Sequence, residues 1–185
     1  MSRTAEHLIV LLEPHYNSAL QYCRGLYRNG KDAEDGLHDA IIGAIQHFKS
    51  LRDASKFKSW FFTIITRTFY KSKGRQAGSN RIFLPLQENH HALPDVYGED
   101  CSEGREKILL EALDTLNKKE RTAILLFEIG GLSLEEIRKI QKEQSVSAIK
   151  SRLSRARLKL RNSILEIENI KYNEGGYHVS KTFIQ

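Results

Sequence analysis

Apolar residues recur at three- and four-residue intervals through residues 5–73, and again through 105–168, but not between them. That spacing is the period of an α-helix with one buried face, and it leaves no room for the alternation of a strand. In the first half the stripes are Leu8, Leu11 and Leu12; Tyr16, Leu20, Cys23 and Leu26; Leu37, Ile41, Ile45 and Phe48; and Phe57, Phe61, Ile64 and Ile65. In the second half they are Ile108, Leu109, Ala112, Leu113 and Leu116; Ala123, Ile124, Leu126 and Phe127; Leu134, Ile137 and Ile140; and a long run of Val146, Ile149, Leu153, Ala156, Leu160, Ile164 and Ile167. Residues 76–105 carry Pro85, Pro94, Gly98 and Gly104 and no helical period. The pattern predicts an all-α chain of two small helical domains, 1–75 and 106–168, joined by a flexible acidic linker (76–105) and followed by a tail (169–185).

The punctuation fits. Pro14 inside the first helical stretch marks either a kink or the first turn of a new helix. Asn29-Gly30 reads as a stop, and Asp32 as the opening of the next helix with Glu34 and Asp35 in its first turn. Gly74 and Gly78 are the expected end of the helix begun near Phe57. Ser133 followed by Glu136 has the form of a capping box, and the helix it opens, 134–141, is followed by a short turn and a longer helix starting at Ser145 or Ser147. A short capped helix, a tight turn and a longer helix with a basic outer face is a helix-turn-helix plan.

Charge is uneven. Of 185 residues, 29 are Lys or Arg and 23 Asp or Glu, a net +6. Residues 67–81 hold five cations (Arg67, Lys71, Lys73, Arg75, Arg81) and no acid; residues 145–162 hold six (Lys150, Arg152, Arg155, Arg157, Lys159, Arg161) and no acid. Between them, residues 82–106 hold six acids and one base. Two isolated cationic patches suit two separate contacts with a polyanion. Burying the stripe from Val146 to Leu160 puts Lys150, Ser151, Ser154, Arg155 and Arg157 on other faces, and these are side chains a major groove accepts. Cys23 and Cys101 do not make a disulfide framework, and no apolar run is long enough to span a membrane, so a reducing cytoplasm is the simplest compartment. His90, His91 and Cys101 lack zinc-ligand spacing, and no nucleophile–base motif or phosphate-cradling loop is present: neither metal, cofactor nor catalysis is expected.

Four segments together resemble one family. Residues 32–40, Asp-Ala-Glu-Asp-Gly-Leu-His-Asp-Ala, resemble the region-two signature of bacterial sigma factors of the extracytoplasmic-function (ECF) group. Lys56-Phe57-Lys58-Ser59-Trp60-Phe61-Phe62 resembles the opening of its promoter-melting helix. Residues 131–137 and 149–157 resemble region four. The resemblance spans about residues 5–168 in the right order. It implies docking on the clamp helices of the polymerase largest subunit by Asp35, His38 and Asp39, with the flap region as a second contact on core. It implies capture of a flipped base of the minus-ten element by the loop 50–56, with Trp60, Arg67, Lys71 and Lys73 at the duplex edge and displaced strand. It implies reading of the minus-thirty-five element by Lys150, Ser151, Ser154, Arg155 and Arg157, and a linker that threads the RNA exit path. Promoter DNA and core RNA polymerase are the implied partners, with an anti-sigma protein or a separate DNA-targeting factor as further candidates. Trp60 can equally be read as a core tryptophan. The sequence departs from the pattern at Gly36, His38, Arg67, Ser154 and the turn 141–144, which lacks the common glycine. Two other readings stay open: a stand-alone helix-turn-helix regulator, and an RNA-binding accessory protein.

Overall fold

The computed structural model describes the backbone of residues 3–27, 29–78 and 102–175, and the side chains of 6–27, 29–72 and 104–170. Among the described residues there are eight α-helices and no strand: α1 (Arg3–Leu12), α2 (Tyr16–Leu26), α3 (Gly30–His47), α4 (Phe57–Gly78), α5 (Ser102–Asp114), α6 (Lys118–Glu128), α7 (Leu134–Gln141) and α8 (Val146–Gly175). The acidic segment 82–101, with His90, His91 and Cys101, lies outside them, as do residues 176–185.

Helices α1–α4 form the first domain. Pro14 sits in a single 3-10 turn, Glu13–His15, so α1 ends and α2 begins afresh. Asn29 proves to be a start rather than a stop: its side-chain oxygen accepts from the Asp32 N–H at 2.7 Å and caps α3. The core is aromatic. Phe57, Phe61, Phe62 and Ile65 of α4 are fully buried, Phe62 lies 5.2 Å from Tyr22, and Tyr27 meets Phe69 edge-on at 5.2 Å. Each such ring contributes about 2–3 kcal/mol by leaving water. The buried Tyr22 hydroxyl is satisfied by Thr66 Oγ1 at 2.8 Å. The gap at Gly36 is filled from outside the helix: a Cβ there would lie 2.5 Å from Tyr27 Cζ and Oη.

Helices α5–α8 form the second domain. Two capping boxes open its middle helices. Asn117 Oδ1 accepts from the Glu120 N–H at 2.9 Å while Glu120 accepts from the Asn117 N–H, which the sequence reading did not foresee. Ser133 and Glu136 do the same for α7, as expected. The turn after α7 is closed by Lys142 at φ 54 and ψ 41, the left-handed conformation that glycine usually supplies.

Three boundaries differ from the sequence reading. Helix α4 passes through Gly74 to Gly78, and α5 begins at Ser102, so both reach into 76–105. Helix α8 continues to Gly175, seven residues into the expected tail. The domains are also not held apart. Helices α2 and α4 pack on α6 and α7, and the apolar residues of both halves form one continuous cluster.

Candidate nucleic-acid interface

Three surfaces carry the expected site residues. The first is on α3. Ala33, Gly36, Leu37, Ala40 and Ala44 are its buried side, and a 3.6-residue period then turns Asp35, His38 and Asp39 outward, where all three are exposed. Ile42 and Ile45 continue that stripe, at 41% and 43% exposure. Ile45 was expected in the core. It stands outward because Ala44, one position earlier, takes the inner place.

The second surface is the segment before α4 and one face of α4 itself. Residues 48–56 form two 3-10 turns, Phe48–Ser50 and Ala54–Lys56. Asp53 Oδ1 accepts from the Ser55 N–H at 2.9 Å, and these hydrogen bonds from Ser55 hold its carboxyl below the ordinary range. Trp60 is half-buried between Phe48 and Phe57, at 6.3 and 5.8 Å between ring centroids, and its indole N–H donates to Ser50 Oγ at 3.1 Å. It is neither a pure core residue nor a free one: it pins the loop to the helix. Arg67 and Lys71 are exposed. Seven and eleven residues after Trp60, they lie on its face of α4, because both intervals are close to whole helical turns. Lys73 is on the same helix, and its side chain lies outside the described residues.

The third surface is α8, aimed by the turn before it. Gln141 Nε2 donates to Thr122 Oγ1 at 2.8 Å and to the Lys119 carbonyl at 2.9 Å, and Gln141 Oε1 accepts from Arg152. Arg152 Nη2 donates to Glu143 Oε1 at 2.6 Å, and Lys119 Nζ reaches the same oxygen at 3.0 Å. Hydrogen bonds from Arg152 and Lys119 hold the Glu143 carboxyl below its ordinary range. Arg152 is therefore a brace inside the turn, with its side chain 11% exposed, and not part of the outer basic face. Its place in the sequence gave one signal: it flanks the buried stripe at Ile149 and Leu153. Lys150, Ser151, Ser154 and Arg155 are exposed as expected. Arg157 is exposed too, but it is shared: its Nη2 meets Glu128 Oε1 at 2.8 Å and its Cζ lies 5.2 Å from the Phe127 ring centroid. Lys159 is held by both oxygens of Glu120, at 3.0 and 2.8 Å. The outward cations of this helix are thus mainly Lys150, Arg155 and Arg161.

Among the described residues no group of His, Cys, Asp and Glu could hold a metal ion, and no helix is long and apolar enough to cross a membrane.

Comparison with known proteins assigns both halves. Sigma-70 region 2 matches residues 11–78, and Sigma-70 region 4 matches residues 106–160. The RNA polymerase sigma factor SigV of Bacillus subtilis (strain 168) is 30% identical over 168 residues, covering 88% of this chain and 93% of its own. The ECF RNA polymerase sigma-E factor of Haemophilus influenzae is 29% identical over 163 residues, covering 83% and 86%. Among solved structures, the sigma factor RpoE in complex with the anti-sigma factor NepR from Bartonella quintana is similar at TM-score 0.67 and 28% identity, over 88% of this chain and 96% of that one. CnrH in complex with the cytosolic domain of CnrY shares the fold at TM-score 0.63 and 20% identity. Two regions in the same order, and a relative matched along nearly its whole length, place the chain in the sigma-70 family of bacterial RNA polymerase sigma factors, within the ECF group.

Proposed function

We propose that this chain is a promoter-specificity subunit of RNA polymerase whose three exposed surfaces divide the work. The Asp35–His38–Asp39 face of α3 docks on a basic helical surface of the core enzyme, the clamp helices, where charge complementarity speeds encounter. The Trp60–Arg67–Lys71 face of α4, with the loop 50–56, takes the unpaired strand of the minus-ten element: an aromatic platform backed by cations suits single-stranded DNA, and loop capture offsets the cost of unstacking. Lys150, Ser151, Ser154 and Arg155 read the upstream element in the major groove. The chain makes no bonds itself, and the relatives it matches are sigma factors rather than enzymes. It acts in the cytoplasm, beside the polymerase. An anti-sigma protein is a fitting regulator, since the RpoE relative is seen bound to one.

The observation that carries this reading is the tie from Trp60 to Ser50, which fixes the base-capturing loop against a helix whose same face carries Arg67 and Lys71. A stand-alone regulator has no use for it. Run-off transcription with purified core enzyme is the test. Added chain should direct initiation at a two-element promoter, and Trp60→Ala with Arg67→Ala should abolish opening while leaving core binding intact. Specific duplex binding by the chain alone, with transcription unchanged by its presence, would favour the stand-alone reading instead.

A further inference from the structure

The contact between the domains is built as a seat, not as a casual touch. Leu125 of α6 is buried against α2 where α2 carries Gly25. A Cβ at position 25 would lie 2.7 Å from Leu125 Cδ2 and 2.9 Å from Cδ1, so only glycine admits the leucine at this depth. Polar contacts surround the seat. The Tyr70 hydroxyl of α4 lies 3.0 Å from Thr122 Oγ1 and 3.4 Å from the Lys118 carbonyl oxygen, both on α6. Glu136 of α7 faces Ser59 and Lys56, the residues leading into and opening α4. The helix of the strand-capturing face is thereby fastened to the first helix of the helix-turn-helix.

We propose that this pairing is a closed state of the free chain that cannot engage both promoter elements at once, and that docking on core polymerase precedes its opening. The proposal rests on the promoter-specificity reading above. Elements centred about 25 base pairs apart lie roughly 85 Å apart along the duplex at 3.4 Å per step. In the closed chain, α4 is linked to α8 by three successive contacts, Tyr70 to Thr122, Thr122 to Gln141 and Gln141 to Arg152. A compact chain of this length has a radius of gyration of only about 16 Å, so the closed form cannot reach across the gap. The Asp35–His38–Asp39 face is on α3, which packs on α1, α2 and α4 and stays exposed, so the closed form can still meet its core partner.

A reversible lock tests this. Position 25 Cβ lies 3.4 Å from Leu125 Cγ, within the reach of a disulfide, whose Cβ atoms sit about 3.5–4.5 Å apart. Gly25→Cys with Leu125→Cys, in a Cys101→Ser background, places a pair of thiols across the seat. Native Cys23 is buried, with its thiol pushed up to about 12, and stays out of exchange. Mild oxidation of the free chain should form the cross-link. The oxidised form should bind core like the reduced form. Its run-off from a two-element promoter should be lower by roughly 100-fold, the avidity that a second site supplies, and reductant should restore it. No cross-link in the free chain, or equal transcription by the oxidised and reduced forms, overturns the closed state. A reduced form that is silent with core overturns the promoter-specificity reading instead, so the two failures are told apart.

Discussion

Lys142 shows how a single backbone angle substitutes for a missing residue type. At φ 54 it makes the left-handed turn between α7 and α8 without glycine, and its N–H still closes on the carbonyls of Arg138 and Lys139. A side chain in that conformation costs about 1–2 kcal/mol, of which the freedom of glycine in the unfolded chain cancels part. Lys142→Gly should therefore raise stability by roughly 0.5 kcal/mol, read as a higher urea midpoint at unchanged slope. Gly36 is the opposite case. A methyl there would run into the Tyr27 ring at 2.5 Å, so Gly36→Ala should cost about 1–3 kcal/mol by overpacking. Tyr27→Ala alone leaves a cavity, and the double variant should recover part of both losses; a double-mutant cycle with no coupling would refute the pairing. Both positions were visible in the sequence as departures from a pattern. Their reasons were not, because Tyr27 and Gly36 meet through the angle between two helices, which spacing along one helix does not encode.

Elements were read from period and punctuation, and where those signals were strong they survived: the Ser133–Glu136 box, α7 at its expected bounds, the outward Asp35, His38 and Asp39. What period alone misplaced were residues at the flank of a stripe. Leu109 and Ile45 were counted inward and stand at 46% and 43% exposure, while Arg152 was counted outward and is enclosed by Gln141 and Glu143. A flank position is decided by the neighbouring helix, not by its own. Arg152→Ala leaves Gln141 and Glu143 without their shared donor, and should cost about 2–4 kcal/mol in chemical denaturation. Arg152→Lys should not restore it, since one ammonium cannot serve both acceptors in the geometry of the guanidinium fork. Acid acts on the same elements. Burial pushes the Glu120 carboxyl up, but the hydrogen bonds from Lys159 and the Asn117 N–H outweigh it, so its folded value lies below the ordinary one. Glu143 is lowered by Arg152 and Lys119. Groups depressed by folding favour the native state above the ordinary glutamate value of about 4.3, and that contribution disappears as pH falls through their lower folded values. Thermal scans from neutral pH into acid should show this loss in the second domain, and Glu120→Gln should flatten it.

At the scale of the whole molecule, net charge hides the arrangement that matters. The formal +6 suggests a moderately basic protein. The fold instead sets an exposed acidic face on α3 apart from exposed cations on α4 and α8, while Arg152 and Lys159 spend their charge on Glu143 and Glu120. Block counts along the sequence showed the separation of sign but overstated the cations free to meet DNA, because pairing across helices is invisible to counting. Salt dependence separates the surfaces experimentally. Each phosphate neutralised adds about 0.9 to the slope of log affinity against log salt for duplex DNA. Arg155→Ala should therefore weaken holoenzyme binding to the upstream element and lower that slope by about 1. Arg152→Lys should leave the slope unchanged, since the residue meets no phosphate. Asp35→Lys with Asp39→Lys should do the reverse: association with core should slow markedly, and rising salt, which screens attraction in the parent, should now relieve repulsion. Promoter contacts in any complex that still forms should keep their parental slope. If reversing those two charges left core association and its salt response unchanged, α3 would not be the docking helix, and the division of acidic and basic surfaces would have no bearing on assembly.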